Sequence, residues 1–361
     1  MFGSVKDKLL KFVKQNKIRR EILSGKSSAR AAVIGILISI VVTVIIFKYT
    51  ESEITWSVLR RANWIYLLLA FLMQVSFWLL WAFRLKLLTN YLGYKVSYFH
   101  SLEITMASMF TAAITPSSAG GEPVRVKMLS DRDVDVGTSA FIVLAERILD
   151  SMFFSSALPV FLIITGFSTS FGFKIAVVFT TLLAIFIYML FRIFRNEASI
   201  DRFSKILYRL VKWFNEEKAE NYSSVFSREL RRFREATIQM LSNSLSGIFV
   251  LYILTLILWS AGFMVPSFIL LSLGYDPYFL YSYTAQLIIV IVSLVPLTPG
   301  SSGIAEVSMA YLYSNFVDTN ILGVLVALWR IITYHANIFF GALFVNYSLI
   351  KSRILKSKSV N

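Results

Sequence analysis

The sequence predicts an all-α, polytopic membrane protein, on three observations. Hydrophobic residues make up 57% of the 361 positions and charged residues only 16%, against roughly a quarter in an ordinary soluble domain. Several uncharged stretches approach the ~20 residues that a helix needs to cross the hydrocarbon layer. The 36 Lys and Arg outnumber the 21 Asp and Glu and collect in chain ends and loops, a pattern of positive-inside flanks and anionic headgroups rather than of nucleic-acid binding. Long apolar runs in place of short alternating segments exclude an outer-membrane barrel. With no Cys, disulfides, thiolate metal sites and thiol catalysis are excluded as well.

Residues 1–30 hold nine basic groups and two acids, with Leu9, Leu10, Phe12, Val13, Ile18, Ile22 and Leu23 at loosely helical spacing. This predicts a basic amphipathic surface helix, too polar for a signal peptide. The first span is Ala31–Phe47. The second is Asn63–Phe83, bracketed by Trp64 and Trp81 near its ends and followed by Arg84, Lys86 and Lys95. Tyr98–Ile114 is apolar but interrupted by His100, Glu103 and Thr105. Spans follow at Ser139–Thr165, which contains Glu146, Arg147 and Asp150, and at Phe173–Phe194. Residues 195–243 read as a soluble helical linker. Apolar segments resume at Leu245–Leu271, Leu280–Val295, Ile304–Phe316 and Ile321–Ile350, before a basic tail, 351–361.

Residues 1–30, 84–138, 192–235 and 351–361 hold 30 of the 36 basic residues, and the loops near 166–172, 272–278 and 317–320 hold none. Placing the basic segments inside puts both termini in the cytoplasm of a cell-membrane protein. Segments 84–97 and 124–138 then lie on one side, so 98–123 dips in and returns; 279–305 does so from the other side. Such irregular backbone is tolerated only where protein or water surrounds it. The expectation is about six full crossings and two re-entrant helical hairpins.

Sliding the chain by 183 positions lays Thr115-Pro116-Ser117-Ser118-Ala119-Gly120 on Thr298-Pro299-Gly300-Ser301-Ser302-Gly303. Without a gap, Val124, Leu129, Val134, Asp135, Val143, Arg147 and Ile148 also meet identical residues, which makes 11 identities in 34 positions. Leu92-Gly93-Tyr94 matches Leu273-Gly274-Tyr275 once two residues are gapped. The repeat halves are about 63–194 and 245–350. They run in opposite directions through the membrane, and paired broken helices in inverted repeats mark binding sites in transporters.

Each Thr-Pro-x-Ser-x-Gly loop combines a helix-stopping Pro, a permissive Gly and capping hydroxyls. It reads either as a tight turn or as a cradle for phosphate or carboxylate at a helix N-terminus. Arg147 and Arg330 each lie in an apolar span and must face protein or a hydrated cavity. Asp150 at i+3 offers Arg147 an ion pair, whereas Arg330 has no acid within four positions and is the better ligand candidate. Glu122, Glu306 and Arg125 sit just past the loops. The candidate substrate-binding residues are therefore Arg147, Arg330, Thr115, Ser117, Ser118, Gly120, Glu122, Arg125, Thr298, Ser301, Ser302, Gly303 and Glu306, with the two arginines converging on one cavity. No catalytic residue, metal ligand set or cofactor motif is recognised. His100 and His335 are isolated, Gly120-Gly121 lacks the Lys of a P-loop, and the sequon Asn221-Tyr222-Ser223 falls on the inside.

Through Thr115–Leu129 (TPSSAGGEPVRVKML), Ala145–Asp150 (AERILD) and Thr298–Tyr311 (TPGSSGIAEVSMAY), the chain resembles the flippase-like membrane domain of lysylphosphatidylglycerol synthetase/flippase proteins, which also occurs as a standalone protein in bacteria and archaea. The resemblance covers roughly Ala31–Ile350. It implies translocation of a lipid with a phosphate-bearing, aminoacylated or glycosylated headgroup. The sequence ends at Asn361 without the soluble synthetase domain, so the resemblance implies no aminoacyl transfer by this chain. The partners it implies are membrane lipids with an anionic headgroup or a polyprenyl phosphate, with no nucleic acid; a homo-oligomer and a separate lipid-modifying enzyme stay open. The alternatives are an enzyme or accessory protein acting on a polyprenyl-phosphate sugar, and a secondary transporter of a small anion.

Overall fold

The computed structural model describes residues 25–50, 53–115, 120–166, 169–195, 202, 204–206, 208–209, 212, 216–243, 245–294, 298 and 300–358, and among them it is helical throughout, with no strand. The helices are α1 (Gly25–Thr50), α2 (Glu53–Arg60), α3 (Trp64–Tyr91), α4 (Tyr98–Ala113), α5 (Gly121–Ser130), α6 (Val136–Thr165), α7 (Thr169–Arg195), α8 (Glu216–Asn243), α9 (Leu245–Ser272), α10 (Phe279–Val292), α11 (Ile304–Tyr313), α12 (Thr319–Arg330) and α13 (Ala336–Lys358). A π-turn, Ile331–His335, joins the last two. Four stretches are long and apolar enough to cross a membrane: Trp64–Tyr91, Val136–Thr165, Ser246–Ser272 and Thr319–Tyr347. Shorter apolar stretches lie at Ile36–Tyr49, Val177–Met189 and Phe279–Val292.

Two expected boundaries move. Helix α1 begins at Gly25 and so takes in the end of the expected surface helix; the rest of that helix, through residue 24, lies outside the described residues. Helix α3 runs on to Tyr91, eight residues past the expected Phe83, because Leu85, Leu87 and Leu88 continue its apolar pattern. Trp64 is exposed, as an interfacial aromatic should be, but Arg84 is 0% exposed. The basic flank of the second span therefore starts later, and Arg84 belongs to the interior.

Helices α3 and α9 form the central antiparallel pair. Asn63 N donates to Ser272 O at 2.7 Å, Phe77 meets the Trp259 ring at 5.4 Å, and Arg84 reaches Thr255 at 2.9 Å. Both helices are 28 residues long and both end in the same turn. The amides of Leu92, Gly93 and Tyr94 donate to Thr89 O, Asn90 O and Thr89 O; those of Leu273, Gly274 and Tyr275 donate to Leu270 O, Leu271 O and Leu270 O. Gly93 and Gly274 take φ of +86° and +79°, where a Cβ would be strained.

The order after each turn is also alike. A 16-residue α4 and a 10-residue α5 precede the long α6; a 14-residue α10 and a 10-residue α11 precede α12 and α13. The packing crosses over, α4 lying on α13 and α10 on α6. The main core gathers Phe153, Leu158 and Leu162 of α6, Phe263 and Ile269 of α9, and the buried faces of α10, α11 and α12. In contrast, Val177, Val178, Leu182 and Ile185 of α7 and Leu37, Val41 and Val44 of α1 are exposed, as an apolar face turned to lipid would be.

Candidate functional site

The site follows from where two helix breaks bring polar residues. In the first break, Thr115 Oγ1 donates to Thr111 O at 2.7 Å and accepts from Gly120 N at 2.9 Å. In the second, Thr298 Oγ1 donates to Ser302 O at 2.7 Å, Ser301 Oγ to Ser293 O at 2.6 Å, and Gly303 N to Glu306 Oε2 at 2.6 Å. Thr115, Thr298 and Ser301 thus close their own loops, and Glu306 caps α11 from within its first turn. These described groups are engaged internally. Pro116, Ser117, Ser118 and Pro299 lie outside the described residues.

The two breaks touch. Gly300 N donates to Thr115 O at 3.3 Å, and Tyr334 OH, on the π-turn, donates to Ala113 O at 3.2 Å. At Gly300, with φ +56°, an added Cβ would lie 2.4 Å from the Tyr334 ring and 2.8 Å from Ala113 O. Only glycine allows this approach.

Beside the first break lies a cluster of six charges. Arg84 Nη1 donates to Asp150 Oδ1 at 2.6 Å and to Thr255 Oγ1 at 2.9 Å, and its Nε to Glu146 Oε1 at 3.3 Å. Arg125 Nη2 pairs with Glu146 Oε2. Trp81 Nε1 donates to Glu146 at 3.1 Å and Trp259 Nε1 to Asp150 at 2.9 Å. Arg147 lies 3.1 Å from Asp150 and 3.4 Å from Glu122. The guanidinium carbons of Arg84, Arg125 and Arg147 all lie over the Trp81 ring, 5.7, 5.3 and 5.0 Å from its centroid, within cation–π range. Trp81 is therefore the platform of this cluster and not an interfacial anchor.

Arg84, Arg125, Glu146 and Asp150 are buried, whereas the side chains of Arg147 and Glu122 are 36% and 38% exposed. These two form the open edge of the cluster. Arg147 Nε and Nη2, Glu122 Oε2 and Asp150 Oδ2 are themselves buried and have no aligned hydrogen-bond partner, so the Arg147 contacts are ion pairs by distance alone and the exposure of the edge comes from the rest of the two side chains.

The counterpart beside the second break is small. Arg330 Nη2 donates to Glu306 Oε2 at 2.7 Å and lies 3.5 Å from Ser301 O, with its side chain 6% exposed. Its guanidinium sits over the rings of Trp329 and Tyr334. Arg330 has no acid within four positions along the chain, and tertiary folding supplies Glu306 from 24 residues away. Arg147 makes its expected pair with Asp150 but is the more accessible of the two arginines. Among the described residues the two share no bonded partner; Arg147 pairs with Glu122 of α5 and Arg330 with Glu306 of α11. Arg84, Trp81 and Thr255 went unrecognised in the sequence as members of the site, although Leu85, Leu87 and Leu88 follow Arg84.

The model of the lysylphosphatidylglycerol synthase transmembrane region matches residues 32–341. A UPF0104 membrane protein of Archaeoglobus fulgidus is 78% identical over 325 residues, covering 90% of this chain and 99% of the relative. UPF0104 membrane proteins of Methanocaldococcus jannaschii and Pyrococcus horikoshii are 24% and 27% identical, covering 90% and 77% of this chain and 96% and 85% of their own lengths.

Proposed function

From the premise that the chain belongs to the lysylphosphatidylglycerol synthase transmembrane-region family, we propose that it is a lipid translocase that moves a lipid with a phosphate-bearing headgroup between leaflets, and that it acts as a transporter rather than an enzyme. The observation that carries this reading is the open edge formed by Arg147 and Glu122 on an otherwise buried charge cluster. A phosphate over a guanidinium gains charge-assisted, bidentate hydrogen bonds that offset its desolvation. The neighbouring arginines, held by Glu146 and Asp150, keep the site from collapsing onto the ligand.

The halves are read as an inverted duplication. The antiparallel α3 and α9, their identical closing turns and the crossed packing of α4 and α10 support it. In this reading the four long spans are joined by α1 and α7 as crossings, α4–α5 and α10–α11 are re-entrant, and both termini are cytoplasmic. The absence of native Cys makes single-cysteine labelling straightforward: positions 95 and 130 should label from the same side, and labelling from opposite sides would discard the first hairpin.

Leaflet-resolved transfer of a fluorescent anionic lipid in liposomes tests the function. Arg147→Ala should fold and lose at least about tenfold in rate, the worth of one charge-assisted contact of ~1.5 kcal/mol or more. Wild-type rates in this variant remove Arg147 from the path. A soluble-anion transporter would instead leave the lipid in place and move headgroup analogues lacking acyl chains.

A further inference from the structure

Charge counting at the open edge carries one step further. The cluster around Trp81 holds Arg84, Arg125 and Arg147 against Glu122, Glu146 and Asp150, so its formal charges cancel. A monoanionic phosphodiester entering it leaves one negative charge in excess, in surroundings where an uncompensated charge is strongly disfavoured. The excess is removed if one carboxylate binds a proton, and the three carboxylates are not equally free to do so. Glu146 accepts from Arg84, Arg125 and Trp81; Asp150 accepts from Arg84 and Trp259 and also faces Arg147. Glu122 pairs with Arg147 at 3.4 Å, makes no hydrogen bond through its buried Oε2, and also lies in the field of Arg125, whose guanidinium is committed to Glu146. A phosphate that engages Arg147 competes for the cation that forms the ion pair with Glu122.

The other charged groups do not replace it. On its own helix Glu122 shares α5 with Arg125, which Glu146 holds. Helix α6 contributes Glu146, Arg147 and Asp150, and α3 contributes Arg84 across the Trp81 ring. Helix α4, which also packs on α5, carries Tyr98, His100 and Glu103, and Glu103 is held by Arg132 beyond the C-terminal end of α5.

We propose that binding of a monoanionic headgroup at Arg147 is coupled to uptake of one proton by Glu122, so that the loaded site is electroneutral and the lipid crosses together with a proton. This rests on the headgroup site proposed above. The balance is simple: the Glu122 carboxylate takes a proton from water on the loading side, becomes a carboxylic acid while the phosphate occupies Arg147, and returns the proton to water on the releasing side as the Arg147–Glu122 pair re-forms. A transmembrane proton gradient then suffices to drive net transfer without nucleotide hydrolysis.

The test is calorimetric titration of the full chain in non-ionic micelles with dihexanoyl-phosphatidylglycerol, a soluble monoanionic phosphodiester lipid, in Hepes and in Tris, whose protonation enthalpies differ. The expected result is a buffer-dependent heat equivalent to about one proton taken up per lipid bound, with affinity falling about tenfold for each unit of rising pH. Glu122→Gln should still bind the lipid, release no buffer-dependent heat and show a flat pH profile. Wild-type binding with no difference between buffers overturns the coupling alone and leaves the headgroup site standing. No wild-type binding overturns the headgroup site and the coupling with it. A Glu122→Gln protein that still takes up a proton overturns the assignment to Glu122. The two-buffer comparison on the wild type decides the coupling without any variant, so a misfolded Glu122→Gln protein does not suspend the answer.

Discussion

The two halves place an arginine at matching positions, 147 and 330, and surround it in opposite ways. Around Arg147 stand five further charges and a tryptophan shared by three guanidiniums. Around Arg330 stands one carboxylate, buried against it at 2.7 Å. At the offsets that relate the halves, Trp81, Arg84, Arg125, Glu146 and Asp150 correspond to Gly262, Val265, Ser308, Trp329 and Thr333, none of them charged. Trp78 and Trp259 also correspond, and each donates its indole N–H to the long helix of the other half. Trp259 finds the carboxylate of Asp150, whereas Trp78 finds the neutral amide of Asn337 at 2.7 Å. The difference teaches that similar arrangements of helices can carry either a charge-rich cluster with a half-exposed edge or a single buried pair.

The largest effect should come from breaking the cluster from inside. Arg84→Met removes a buried cation that serves both Glu146 and Asp150, and leaving buried carboxylates uncompensated costs about 3–5 kcal/mol. Equilibrium unfolding in mixed micelles should register that loss. A change below ~1 kcal/mol would mean that the cluster is hydrated and that its pairs are worth no more than surface ones.

Next is the closed pair. Arg330→Met should destabilise by about 3 kcal/mol, because it leaves the Glu306 carboxylate, at 0% exposure, without its cationic partner. Adding Glu306→Gln should recover part of that loss, with a coupling energy of about 1–3 kcal/mol from the double-mutant cycle. Additive single effects would separate Arg330 from Glu306 and dissolve the contrast between the halves.

The smallest expected effect is at the contact between the breaks. Tyr334→Phe deletes the 3.2 Å bond to Ala113 O, one neutral hydrogen bond worth about 1 kcal/mol. Hydrogen exchange should rise at amides 112–115 and at 300 while the rest of the molecule stays protected. Unchanged exchange there would show that packing around Gly300, and not Tyr334, joins the halves.

Much of this architecture was legible in the residue order because its signals are local. A helix needs only a run of apolar residues of sufficient length, a turn needs Gly where φ is positive, and a duplication shows as matched motifs at a constant spacing. Thr115 and Thr298, and Arg147 and Arg330, pair at a spacing of 183 residues, and Gly93 and Gly274 at 181. The acid partners of the two arginines were not legible, because only acids within four positions along the helix leave a mark in the sequence. Glu306 lies 24 residues from Arg330 and Glu122 lies 25 from Arg147, so neither pair leaves a mark at helical spacing.

By itself the sequence determined an all-helical membrane chain, its longest spans, the two helix breaks and the family, since each depends on composition or on contacts close along the chain. Only the tertiary structure decided that Arg84 is interior and not a cytoplasmic flank, that Trp81 gathers three guanidiniums, and that Arg147 is open while Arg330 is closed. The physical reason is that the state of a charge within a span is set by the partners that other helices bring to it. Here those partners come from as far as Thr255, 171 residues beyond Arg84, and a charge reads identically in the chain whether its carboxylate lies across the bundle or is missing.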